Sequence, residues 1–173
     1  MPQEKDNNAE WLAQRDLNLK KWIRNDAAVR WLLDVVESAE MFDDVYDSDA
    51  ELDKNDWIGT MYKIMIDAPA NPFFQSYSHI LIPQMSLVML SWTAASRIED
   101  DLHAENFHLS YGFRSVHVML VLSCIEICRG RTEAHDMAPE VCRFFCTETY
   151  QQYLDELFRS RVKVNVSGTI KSA

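Results

Sequence analysis

Apolar residues recur at intervals of three and four along most of the chain, the spacing of helices that bury one face. Trp11, Leu12, Leu19, Trp22 and Ile23 form the first such set, and the capping-box spacing of Asn7 and Glu10 predicts that the helix starts at Asn7. Asn25-Asp26 reads as a break and a new N-cap, after which Trp31, Leu32, Val35, Val36, Ala39 and Phe42 form a second stripe. A second capping box, Ser48 with Glu51, predicts a third helix whose core face is Ile58, Met61, Tyr62 and Met65. Pro69 ends it, and Asn71-Pro72 supplies a cap with proline at the first helical position.

Two later stretches, 80–95 and 116–128, are apolar nearly all round. Residues 68–96 contain no Asp, Glu, Lys or Arg at all. Both stretches are interrupted by polar residues before reaching about 20 clean apolar positions, so they predict two buried central helices, 72–103 and 104–129, rather than membrane spans. Pro83 should kink or divide the first, and Gly130 should stop the second. A last helix is predicted from about Asp136 to Ser160, with Pro139 in its first turn. Residues 161–166 alternate apolar and polar with period two, which predicts a short strand or an extended tail. The expected fold is therefore all-α: an irregular helical bundle of five to seven helices forming a single domain over 1–160, with 161–173 as an extended or disordered tail.

Composition supports a folded chain. At 173 residues, with 47% apolar and 25% charged residues, the chain can bury a core, and four glycines are too few for a turn-rich β-sandwich. The polar stretch Met1–Asn8 lacks a secretory pattern, and four Cys then point to a reducing compartment, free thiols and a cytoplasmic location. The net charge of −10 changes the picture further because it is concentrated. Residues 34–56 hold ten acids against one base, Lys54. Such a surface repels phosphate backbones, which disfavours direct nucleic-acid binding.

The acidic run is the densest set of oxygen ligands in the chain. Asp47, Asp49, Glu51 and Asp53 alternate like the ligands of a calcium loop, but an EF-hand starting at Asp47 needs Gly and Glu where Leu52 and Ile58 stand. Asp43, Asp44, Asp47, Asp49, Glu51 and Asp53 are instead a candidate interaction surface. Asp34, Glu37, Glu40 and Asp44 share one helix face, which should look outward because it lies opposite the apolar stripe. Only one Glu-x-x-His, Glu105 with His108, is present, where a dimetal helical bundle needs two. Cys124 and Cys128, then Cys142 and Cys146, are each four apart; a hairpin turning near residue 135 would set Cys128 level with Cys142 and Cys124 with Cys146. Small thiols in a helix seam explain this better than zinc, which prefers turn-borne ligands. His135-Asp136 fits a helix cap, and His79 and His117 fit hydrogen-bonded core positions. No Gly-rich phosphate loop, G-x-S-x-G or C-x-x-C occurs. Gly112 suggests a close helix approach, and Arg114 an ion pair with Glu99, Asp100, Asp101 or Glu105 in preference to binding a ligand anion.

No catalytic residue is identified by this pattern. The expected function is a non-catalytic binding or assembly protein acting through protein–protein contacts, with a protein partner or a second copy as a homodimer, and no cofactor. Two alternatives use the same acids differently. One is a metal-dependent helical hydrolase, nucleotide pyrophosphatase-like, holding a divalent metal on clustered carboxylates; the other is an acidic inhibitor that mimics nucleic acid.

Overall fold

A computed structural model describes residues 2–46, 53–100 and 106–169, and among them the chain is all-α, with no strand. In order, the helices are α1 (Pro2–Ile23), α2 (Asp26–Tyr46), α3 (Lys54–Tyr62), a π-helical segment (Lys63–Asp67), the single turn α4 (Ala68–Ala70) and α5 (Pro72–Asp100). Then come α6 (Phe107–Arg114), a 3-10 turn (Ser115–His117), α7 (Val118–Arg129), α8 (Arg131–Phe145) and α9 (Tyr150–Thr169). Contacts gather into two compact units: Met1–Gln84 with Met119–Pro139, and Met85–Val118 with Glu140–Ala173.

The punctuation of the chain explains most of these boundaries. Arg24 closes α1 in the left-handed region (φ 56°), its N–H on the Lys20 carbonyl, and Asn25 Oδ1 then accepts from the Ala28 N–H to open α2. Asn71 caps α5 by accepting from the Phe73 N–H at 2.9 Å while donating to the Ala27 carbonyl. Gly130 (φ 94°) ends α7 with its N–H on the Glu126 carbonyl. The first unit's core is built where these caps aim the helices. Leu19, Trp22, Ile23, Ala28, Val29, Trp31 and Leu32 are buried, and Trp31 stacks on Phe74 at 5.6 Å. In the second unit Ala95, Phe107, Val118, Val141 and Tyr153 are buried.

Several expectations are corrected. Asn7 lies inside α1, which begins at Pro2. The Ser48–Glu51 box lies outside the described residues, and α3 is capped by Asp53, whose side chain accepts from the Asn55 N–H. In α5 the non-helical residue is Tyr77 (φ −123°), six positions before Pro83. That helix is not a buried central rod: Leu81 and Ala95 are buried, whereas Ile82, Leu87, Met89 and Leu90 are more than half exposed. A lack of charge marks a surface that need not meet water, and composition alone does not say whether the same chain covers it. Gly112 has open space where a Cβ would stand, so no neighbouring helix approaches there. The 107–129 stretch is broken by the 3-10 turn. By length and composition it is the one helical stretch among the described residues able to cross a membrane, yet Val118, Leu120, Val121, Cys124 and Ile125 within it are buried.

The C-terminal third differs most. The helix carrying Pro139 starts at Arg131, so Pro139 sits in its interior. It removes an N–H from the ladder and leaves the His135 carbonyl without that partner. The helix then stops at Phe145 and α9 begins anew after Thr149. Thr149 and Gln152 form a reciprocal capping box: Thr149 N–H to Gln152 Oε1 at 2.8 Å, and Gln152 N–H to Thr149 Oγ1 at 3.3 Å. The alternation at 161–166 gives no strand, because α9 continues through it to Thr169.

Candidate interaction surface

The second half of α2 and the α3–π segment pack antiparallel within the first unit, held by three contacts in register. Lys63 Nζ donates to Glu37 Oε2 at 2.7 Å, Thr60 Oγ1 to Met41 Sδ at 2.8 Å, and Trp57 meets Phe42 edge-on at 5.7 Å. Ser38 makes room for this face. It is buried, and its hydroxyl is satisfied by the Asp34 carbonyl one turn back. The buried side of α2 has thus rotated from the expected Ala39–Phe42 line toward Glu37, Ser38 and Met41.

That rotation corrects the expectation that the Asp34–Glu37 face looks outward. Glu37 accepts from Lys63 through one oxygen and from the Arg15 guanidinium (3.0 Å) through the other. Burial would raise the Glu37 carboxyl, but the hydrogen bonds and charge of Lys63 and Arg15 outweigh it and hold it below the ordinary range. Asp34 is raised, first by burial and further by Asp67 and Glu37, with Lys63 and Arg30 opposing. A shallow cleft of about 430 Å³ runs beside them, lined by both signs, including Lys20, Arg30, Asp26 and Asp34. With both Glu37 oxygens engaged by cations, this group is arranged as an ion-pair network rather than an open ligand set. Among the described residues, no three His, Cys, Asp or Glu side chains gather as a metal site.

Beyond these contacts, α3 and the π segment turn apolar residues to solvent. Ile58 (54% exposed), Tyr62 (62%), Met65 (62%) and Ile66 (55%) stand at positions i, i+4, i+7 and i+8. Three of these four were expected to be core. They are exposed because α2 occupies the other side, where Thr60 is buried and Lys63 reaches Glu37. The π turn, with the Ala68 N–H on the Lys63 carbonyl, takes one extra residue before the chain returns to its buried face at Ala68. Asp53 and Asp56 lie at one end of this stripe and Asp67 at the other, with Lys54 the base beside them.

Of the acids expected to form the surface, Asp53 caps α3, and Asp43 is partly buried on α2 near Phe42. Asp44 lies on α2, though its side chain is outside the described residues, as are Asp47, Asp49 and Glu51 altogether. Fully burying one aliphatic side chain is worth about 1.5–3 kcal/mol, so covering four half-exposed ones recovers roughly 3–7 kcal/mol. Association costs about 4–15 kcal/mol, so the stripe alone binds little and its flanking charges must contribute.

The second unit has a different centre. Glu99 Oε1 accepts from Ser110 Oγ (2.5 Å), Tyr153 Oη (2.9 Å) and the Arg114 guanidinium (3.4 Å), and that guanidinium also sits 5.4 Å over the Tyr153 ring. This fulfils the expected Arg114 ion pair. Burial, with the Glu99 carboxylate adding to it, pushes the Tyr153 hydroxyl up to about 12. Ser110 and Tyr153 are buried, so this is an internal anchor for α9 rather than an accessible site.

The remaining candidates do not assemble. All four thiols are free, with Cys124 buried, Cys128 raised by burial and Cys146 exposed just past α8. The break between α7 and α8 falls at Gly130 instead of near residue 135. His135 and Asp136 are exposed on α8, 3.5 Å apart, and do not cap it. His79 is exposed, whereas His117 packs edge-on against Phe145 and its Nδ1–H donates to the Arg114 carbonyl at 3.3 Å. The chain matches no known protein family, and no curated protein or solved structure shows significant similarity to it.

Proposed function

We propose that this is a non-catalytic binding or assembly protein whose contact surface is the solvent face of α3 and the π segment. The observation that carries the reading is the stripe of Ile58, Tyr62, Met65 and Ile66, each more than half exposed, on a helix pinned from behind by α2. Large apolar side chains at helical spacing normally face a core, and a contiguous exposed set marks a contact surface. Asp53 and Asp56 at one end of the stripe and Asp67 at the other give it a polar rim. In the second unit Leu87, Met89 and Leu90 of α5 are exposed too, but no charged residue flanks them between 85 and 96 to confer orientation. The partner is a protein or a second copy of the chain.

A photo-crosslinking residue placed at Tyr62 tests this in cells. A discrete protein adduct is expected that disappears when Ile58 and Met65 are changed to Ser. The same label at exposed Gln151 should give none. Equal adducts from both positions, or no adduct from position 62, would overturn the reading.

A further inference from the structure

The charges at the two ends of the exposed stripe say what kind of partner it takes. Resting on the binding role argued above, we infer that the surface receives a basic amphipathic helix, one with an apolar face flanked by Lys or Arg. Ile58 to Ile66 covers nine residues, eight steps or about 12 Å of helix, which is two to three turns of a docked partner. Apolar anchors at i, i+3/i+4 and i+7 on that partner match the spacing of Ile58, Tyr62 and Met65.

The rim then selects the sign. Asp53 and Asp56 sit at one end, and Asp67 at the other, where it is close enough to Asp34 to raise its carboxyl. Lys63 is held by Glu37, Arg30 faces Asp34, and among the described residues Lys54 is the one base beside Asp53 and Asp56, so acids outnumber bases at the ends of the stripe. An acidic amphipathic helix would place like charges at both ends of its footprint. A second copy of a −10 chain would do the same wherever its own acidic rim approached this one. A basic helix satisfies both ends while covering the apolar stripe, and Met65 adds an adaptable surface for it.

The test uses the full chain and three synthetic 18-residue peptides: an amphipathic Leu/Lys helix, an amphipathic Leu/Glu helix of the same apolar spacing, and a Leu/Lys peptide of scrambled order. Binding is followed by fluorescence anisotropy, with sedimentation velocity for self-association. The amphipathic Leu/Lys helix is expected to bind at least about tenfold more tightly than either control, and about fivefold more weakly in 500 mM than in 50 mM salt. Tyr62→Ser with Met65→Ser should weaken it about tenfold, and so should Asp53→Asn, Asp56→Asn and Asp67→Asn together. Equal binding of the scrambled or Leu/Glu peptide, or binding untouched by the Tyr62/Met65 change, overturns the inference. If the chain instead self-associates through Tyr62 and Met65 and ignores the Leu/Lys helix, the choice of partner fails while the binding surface stands. If no peptide binds and sedimentation is unchanged by those substitutions, the inference is likewise overturned, and the presence or absence of an adduct from the crosslinker at position 62 decides the broader reading separately. Circular dichroism melts of both variants confirm that each remains folded, as expected for exposed positions.

Discussion

Arg15 reaches across 22 residues of sequence to donate through Nη2 to Glu37 Oε1 at 3.0 Å, while Lys63 holds the other Glu37 oxygen at 2.7 Å. Arg15 is only 3% exposed and Glu37 37%, so the pair is asymmetric: the base depends on the acid more than the reverse. Arg15 Nε also donates to the more exposed Asp16 at 3.1 Å, but Nη1 is buried without a protein partner, so losing the Glu37 charge leaves the buried guanidinium less well compensated. Glu37→Gln should therefore cost about 1–3 kcal/mol at pH 7, below the value for a fully buried pair because solvent screens the exposed acid. Urea unfolding measures it. The Glu37 carboxyl is lowered on folding, so its contribution is present above the ordinary carboxylate range and is lost as pH falls through the folded value. The gap between wild type and variant should shrink below about pH 4; an equal gap at pH 3 and pH 7 would sink this account.

His117 carries the opposite kind of pH dependence. Burial lowers its affinity for a proton, and the hydrogen bond to the Arg114 carbonyl only partly offsets that. The unfolded chain takes up the proton near pH 6.5, before the folded one does. Stability is then constant above that pH and falls as the pH drops through it toward the folded value. His117→Gln should flatten the stability profile between about pH 7 and 5 relative to wild type. Parallel profiles would show that His117 does not titrate differently in the folded protein. The other histidines remain in both proteins and cancel from the comparison.

Gly112 lies exposed inside α6, and nothing stands within 4 Å of where its Cβ would be. Gly112→Ala should stabilise the protein by about 0.5–1 kcal/mol, through helix propensity alone. Gly130→Ala should do the reverse, by about 1 kcal/mol or more, because φ is 94° there although space is equally open. Thermal melts of the two variants should move in opposite directions. A shared sign would mean that backbone conformation is not what separates the two positions.

These cases also show where the sequence is informative. Asn25, Asn71-Pro72 and Gly130 act locally, through a side-chain oxygen, a fixed φ or a missing Cβ, so their roles can be read without knowing the fold. The break before α9 was equally legible in Thr149 and Gln152, but the apolar pattern running across it masks the capping box. Arg15 left a readable sign as well: with Leu12, Leu19 and Trp22 it falls at intervals of three, four and three, a base set on an apolar stripe. What periodicity does not carry is which of two apolar faces finds a neighbour. Ile58, Tyr62 and Met65 have the spacing of a core face, yet the tertiary contacts of Thr60 and Lys63 place the opposite side against α2. That choice, and not the apolar spacing, is what leaves Ile58, Tyr62 and Met65 on the surface.

Glu99 and Tyr153 offer a last, quantitative test, of how α9 is anchored. One carboxylate oxygen receives Ser110, Tyr153 and, at the longest distance, Arg114. Removing the Tyr153 hydroxyl leaves Glu99 with two donors, so Tyr153→Phe should cost only about 0.5–1.5 kcal/mol. Removing the carboxylate leaves the buried Tyr153 hydroxyl without its acceptor, whereas Ser110 can still use the Ala95 carbonyl at 3.2 Å. Glu99→Ala should therefore cost more, about 2–3 kcal/mol. In the double variant the stranded hydroxyl is gone, so its loss should fall short of the sum of the singles by about 1 kcal/mol. Strict additivity in chemical denaturation would mean that the 2.9 Å contact contributes nothing of its own, and that α9 is held by the packing of Tyr153 and Phe107 alone.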